Sequence, residues 1–298
     1  MWFVFAMASA LLSASAAVLQ KKVLFRMSAL EFSFAVSVLI LLVSCLAPFT
    51  IDVTSLPRAT LLLILGKSIL GAFAFLFVMI ALEKNQISSA LPLLGLTPAV
   101  AAVLSMPVLG ESLGLREWAA IGMMMAGTYL IEKRPRQHSS SSAPIGSGVL
   151  SHSPIIGALV LFAVSAVADK LLVSGYKIHP FAVLFYQHIV YCVIFGAMLA
   201  IRGMLHRPLP AAGRPPGSVR QELPVIAAVA LITIAYRFAQ LEATTTAPAA
   251  LVLAVKRMSI VFASLYGGAL FSDEHLTRKL AGALLIAGAG FLILRFIA

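Results

Sequence analysis

Five cations stand inside apolar runs of this sequence, and one clear acid stands with them. The cations are Lys67, Lys170, Arg237, Lys256 and Arg257; the acid is Asp169. Ionisable side chains within long apolar segments are costly to desolvate, so they pair with one another or mark the path of a polar cargo. Lys256 and Arg257 carry the sharpest signal. They sit well into an apolar run, too deep for easy snorkelling to water. Two adjacent cations at that depth need an anion, a water-filled cavity or carbonyl partners. Adjacent residues on a helix point about 100° apart. Both therefore reach a central cavity, or one reaches it while the other faces a neighbouring helix. The plain alternative is a structural pair satisfied by Asp169 or Glu242.

The remaining candidates are weaker. Arg237 lies in Ala235-Tyr236-Arg237-Phe238; it binds cargo together with Tyr236, or it snorkels to the interface or pairs with Glu242. Asp169 and Lys170 are neighbours, and a local ion pair is the bland account of both. Lys67 has no acidic neighbour in its own run. His188, in Phe185-Tyr186-Gln187-His188, titrates, binds cargo, or makes an ordinary interhelical hydrogen bond. A cavity lined by these cations has a positive potential and attracts anions. The first apolar run contains no acid, which weighs against a proton-coupled exporter of cations. Glu111 and Glu274 close two apolar runs and read as turn or capping residues.

These residues are carried by long apolar helices. The chain has 298 residues, 61% of them hydrophobic and 11% charged, with a mean hydropathy of +1.01. A soluble domain is about 45–50% apolar and about 25% charged, so a soluble enzyme is excluded. Apolar runs cover 2–19, 29–48, 60–81, 87–109, 116–132, 154–174, 181–201, 222–242, 247–271 and 279–297. A membrane helix needs about 20 such residues, which predicts ten transmembrane helices. Runs of this length exclude the ten-residue alternations of a barrel. The first run has no basic leader and no cleavage site, so it reads as a retained helix. Pro92 and Pro98 are expected to interrupt the fourth helix, Pro107 to precede its end, and Pro248 to open the ninth. The net charge of +11 reads as loop bias and lipid contact, without nucleic acid. Cys45 and Cys192 form no disulfide framework. No phosphate-binding loop, zinc motif or catalytic triad occurs, so neither a metal nor a cofactor is expected, and neither is enzymatic activity.

Residues 133–153, rich in Ser and basic at their start, read as a flexible cytoplasmic linker between two five-helix halves, 1–132 and 154–298. The halves echo one another. Gly110-Glu111 is followed by Gly127 sixteen residues after the Glu, and Asp273-Glu274 by Gly290 at the same spacing. An odd number of helices per half makes the repeats inverted, a construction of secondary transporters. Small residues at Gly122, Gly127, Ala281, Gly282, Gly288 and Gly290 suit close helix packing.

Ten helices, a five-plus-five repeat and the Glu-bounded ends of the fourth and ninth helices resemble the EamA family of the drug/metabolite transporter superfamily. The best matched stretches are Pro98–Ile131 and Leu251–Leu294. The segment Leu253-Ala254-Val255-Lys256-Arg257-Met258-Ser259 also resembles the ninth helix of the sugar-phosphate and nucleotide-sugar branch. That resemblance implies a Lys-Arg pair on the substrate phosphate and alternating access around a central cavity.

The expectation is thus an all-α, multi-pass membrane transporter in a bacterial inner membrane. Its cargo is a small organic anion or a zwitterion such as an amino acid. Lys256, Arg257, Arg237, Tyr236, Lys67, Lys170 and His188 are its candidate binding residues. The alternative is a flippase for lipid head groups or polyprenyl phosphates. Thirteen loop cations lie on the side of the 133–153 linker and four on the other, which puts the linker inside and both termini outside. A reporter fused at Ala298 should accordingly read outside the cytoplasm, and one inserted near Ser141 inside. A cytoplasmic signal from Ala298 would overturn the orientation.

Overall fold

A computed structural model describes residues 1–46, 48, 56–84, 94–132, 147–204, 219–259, 262 and 276–296. Their regular structure is helical throughout. The first half holds α1 (Trp2–Leu24), α2 (Ala29–Ser44), α3 (Arg58–Lys84), α4 (Thr97–Leu109) and α5 (Leu115–Glu132). The second holds α6 (Ser147–Lys170), a π-helical turn (Leu171–Gly175), α7 (Pro180–Met204), α8 (Val219–Thr246), α9 (Ala249–Lys256) and α10 (Leu276–Phe296). Among the described residues, five helical segments are long and apolar enough to cross a membrane: Trp2–Leu24, Arg58–Glu83, Gly157–Gly175, Pro180–Met204 and Gln221–Thr246.

The helix ends have local causes. Ser28 and Glu31 form a reciprocal capping box at the start of α2, which satisfies two backbone donors the first turn leaves open. Gly110 closes α4 in the left-handed conformation, φ 66°, and its N–H bonds the Met106 carbonyl at 3.1 Å; a side chain there is strained. Pro98 lies in the first turn of α4, where a missing N–H costs nothing. It opens that helix: Leu94 is helical and a turn at Gly95 and Leu96 precedes Thr97, so the apolar run is interrupted just before Pro98, as expected. Pro107 falls near the end of α4 and Pro248 caps the start of α9. The linker is shorter at its far end than composition implies, because α6 begins at Ser147 and runs through Pro154. Residues 133–146, Pro92, Asp273 and Glu274 lie outside the described residues.

Packing reveals the repeat directly. The principal helix pairs are α1 with α8, α3 with α6, α2 with α7, α5 with α10, α4 with α6 and α1 with α9. Pairs α3 with α7, α2 with α8 and α4 with α9 complete the frame. Renumbering each helix of one half as its counterpart five places on returns this same set. The two halves are therefore interlocked about a pseudo-two-fold relation, not set side by side as separate bundles. A pair of lysines repeats the pattern at atomic detail. Lys21 of α1 donates to the Leu82 carbonyl in the last turn of α3. Lys170 of α6 donates to the Thr244 and Ala247 carbonyls at the end of α8, at 2.8 and 2.9 Å. Each cation satisfies orphan carbonyls at a helix C-terminus, where the helix dipole favours it. The surrounding sequence, Ala17-Val18-Leu19-Gln20-Lys21 against Ala166-Val167-Ala168-Asp169-Lys170, shows the same echo.

The α5–α10 pair depends on a small residue. A Cβ on Gly127 would lie 2.6 Å from both the Gly282 carbonyl oxygen and Ile286 Cγ1. At Gly122 on the same helix a Cβ meets nothing within 4 Å, so Gly122 is not part of the close contact expected of it. Gly127→Ala should cost about 1–3 kcal/mol by overpacking, lowering the melting temperature and the folded yield in detergent. Gly122→Ala should leave both unchanged or slightly improved. Equal behaviour of the two variants would contradict this packing.

Candidate functional site

The polar centre of the molecule begins with a stripe on α8. Thr233, Tyr236, Arg237, Gln240 and Thr244 recur at helical spacing, so they share one face. That face turns inward, toward α6, α7 and α9. Asp169 stands at the end of α6, two residues before the π turn. Its Oδ1 accepts from Lys67 Nζ of α3, and its Oδ2 accepts from Arg237 Nη2 at 3.0 Å. Lys67 and Asp169 are each 2% exposed. A buried carboxylate with one cation on each oxygen is electrostatically satisfied, whereas an isolated charge in such surroundings costs many kcal/mol.

Two glutamines extend the network. Gln187 Oε1 on α7 accepts from Lys67 Nζ at 2.7 Å and from Arg237 Nη2 at 3.3 Å. Gln240 Oε1 accepts from Lys256 Nζ at 2.6 Å and from Arg237 Nη1 at 3.2 Å. Lys256 also lies over the Tyr236 ring, 4.8 Å from its centroid, a favourable placement for a cation on an aromatic face. Arg257, the next residue, turns the other way: its Nη2 donates to Thr97 Oγ1 of α4 at 2.8 Å. Thr97 passes the bond on to the Leu94 carbonyl at 2.6 Å. The adjacent cations at the end of α9 thus bridge α8 on one side and α4 on the other.

A cavity of about 230 Å³ lies between these helices. Arg237, Lys256 and Arg257 line it, together with Asp169, Gln187 and Gln240. Tyr236 and His188 line it as well. His188 Nδ1 faces the Leu184 carbonyl of its own helix at 2.8 Å. That nitrogen carries the hydrogen in the neutral ring, leaving Nε2 as an acceptor. The His188 bond is therefore within its helix, not between helices.

The structure brings five of the seven expected residues to one cavity and separates two. Lys67 stands behind the wall, held by Asp169 and Gln187. Lys170 points away from it, with the α8 carbonyls above and Glu111 at 3.9 Å. Asp169 and Lys170 do not form the local pair their adjacency suggests, because neighbours on a helix diverge. Asp169 also leaves Lys256 and Arg257 to other partners, and Arg237 neither snorkels nor pairs with Glu242. Gln187, Gln240 and Thr97 were missing from the expected set. The helical stripe from Thr233 to Thr244 was a readable signal for Gln240; Thr97 carried none beyond its neighbour Pro98. Phe75 contributes to the cavity wall as well. Cys45 and Cys192 are free thiols, and no cluster of His, Cys, Asp or Glu suited to a metal occurs among the described residues.

The network orders the effects of substitution. Asp169→Asn leaves two buried cations without their carboxylate and should destabilise by about 3–5 kcal/mol. Lys67→Met leaves Asp169 still paired with Arg237 and should cost less. Melting curves of the two purified variants check the order; a milder Asp169→Asn would refute the assignment of Asp169 as the shared partner.

Residues 1–132 and 150–295 match the model of the EamA-like transporter family. A solved crystal structure, described only as that of a protein, superposes with a TM-score of 0.72 at 15% sequence identity. The superposition covers 98% of this chain and 95% of that one, a likeness of fold over the full length. No curated protein is significantly similar to the chain in sequence. The two family matches divide the chain where the helix pairing divides it.

Proposed function

The chain belongs to the EamA-like transporter family, membrane transporters of the drug/metabolite superfamily, and on that premise we propose that it carries a small organic anion or a zwitterionic metabolite by alternating access. It is an integral, multi-pass membrane protein. The observation that carries the cargo reading is the composition of the cavity wall. Three cations line it, and its single acid among the described residues, Asp169, already holds a cation on each oxygen. A carboxylate or phosphate entering beside Lys256 exchanges a neutral amide acceptor for a charged one, with Arg237 and Arg257 lining the same cavity. Charge-assisted hydrogen bonds are about twice as strong as neutral ones.

The helix pairing supports the mechanism. Exchange of the halves returns the same contacts, so a rocking motion that opens one end of the cavity has a counterpart of similar construction at the other. With ten membrane spans and five helices per half, the repeats are inverted and the two ends face opposite sides. The loop-charge bias supports a reading in which both termini lie outside the cytoplasm, the membrane being a bacterial inner membrane in this proposal. The cavity volume suits a cargo of metabolite size. A lipid head group entering sideways uses the same cations, and its signature is lipid scrambling.

In liposomes containing the purified protein, a soluble anionic or zwitterionic metabolite should accumulate against a counter-gradient. Lys256→Ala and Arg257→Ala should each lose one charged hydrogen bond, about 1.5–3 kcal/mol, lowering cargo affinity by about one to two decades. Arg257→Lys should weaken transport as well, since an ammonium cannot grip two oxygens in parallel. Alanine variants that fold and transport normally would remove Lys256 and Arg257 from the binding site; scrambling of labelled lipid without soluble flux would favour the flippase.

A further inference from the structure

Arg237 has two ends, and the structure treats them differently. At one, Nη2 shares the Gln187 oxygen with Lys67 and also holds Asp169. At the other, Nη1 shares the Gln240 oxygen with Lys256. The first end contains a full negative charge. The second places one neutral amide oxygen between two cations, and among the described residues the Lys256 ammonium meets no carboxylate. A glutamine facing two cations must present its oxygen, because its NH2 group donates only. Gln240 therefore occupies the position in which an anionic oxygen would be held most strongly.

From this we infer that the cavity selects a net anion over a zwitterion of the same skeleton, and that Gln240 keeps the anion's place in the empty site. The inference rests on the transport reading and narrows its cargo class to small carboxylates or phosphates with an apolar body. The incoming anion displaces the Gln240 amide and takes the bonds from Lys256 Nζ and Arg237 Nη1. The rest of the molecule lies against Val36, Phe75, Val78, Phe162 and Leu253, which line the same cavity. An α-ammonium group finds no equivalent partner. Both oxygens of Asp169 are engaged, and the other side-chain acceptors at hand are neutral: the His188 Nε2, the Gln187 and Gln240 amide oxygens, and hydroxyls such as Ser37, Ser165 and Thr233. The surrounding cations repel it across a medium that screens charge poorly. An ammonium thus adds desolvation and repulsion without adding a charged bond.

Matched pairs that differ only in the ammonium test this: 3-phenylpropionate with phenylalanine, and propionate with alanine. Binding is measured by thermal shift and calorimetry on the full-length protein, and flux in proteoliposomes. Wild type should bind the member lacking the ammonium at least tenfold more tightly. Gln240→Glu installs a permanent carboxylate between Lys256 and Arg237; it should lower anion affinity at least tenfold and narrow or reverse the preference. Gln240→Leu removes the stand-in and should bind the anion at least as tightly as wild type. Equal or tighter binding of the amino acids by wild type overturns the inference, whether or not any variant folds. Folded Gln240→Glu with unchanged anion affinity also overturns it. Binding and flux of neither member of either pair, with lipid scrambling in the same vesicles, overturns the transport reading itself.

Discussion

Everything polar at the centre of this protein is arranged around the two oxygens of one buried carboxylate. Asp169 belongs to α6, and its partners Lys67 and Arg237 belong to α3 and α8. One residue therefore joins three helices drawn from both halves. The arrangement follows from the cost of desolvation. None of the three charges is tolerable alone in apolar surroundings, so each fixes where the others must stand. Three charges meeting as two positive and one negative leave a residual positive charge at Arg237. The two glutamines distribute that excess toward Lys67 on one side and Lys256 on the other.

The frame is repeated and the charge is not. The helix pairs and the lysines that cap α3 and α8 respect the exchange of halves. Gln20 occupies in α1 the place that Asp169 has in α6, directly before the capping lysine. Gln20 carries no charge to offset buried cations; the first half contributes Lys67 alone and the second contributes Asp169, Arg237, Lys256 and Arg257. A symmetrical frame suits two equivalent openings. An asymmetrical lining gives the cavity between them a definite chemistry.

The helical architecture was legible because apolar run length is a direct consequence of the hydrocarbon's thickness. The position of the repeat was legible in the spacing of Glu111 and Gly127 against Glu274 and Gly290. Depth in an apolar run also singled out Lys256 and Arg257. Pairing was not legible. Asp169 and Lys170 are adjacent in sequence, yet one turns toward α3 and α8 and the other toward the carbonyls that end α8. The rotation of a helix about its axis decides this, and long runs that are apolar on every side leave that rotation unmarked. Gln187 and Gln240 were passed over because uncharged amides carry little weight in a search for charge, although they decide which cations share an acceptor.

The central claim is that an anion rests between Lys256 and Arg237 in the cavity joining the two halves. A crystal of the protein soaked with 3-bromopropionate tests it most directly, through the anomalous signal of the bromine. The account predicts a peak inside the cavity, with carboxylate density against Lys256 Nζ and Arg237 Nη1 and the Gln240 amide turned aside. A bromine peak elsewhere, with the Gln240 oxygen still bonded to both cations, would contradict it.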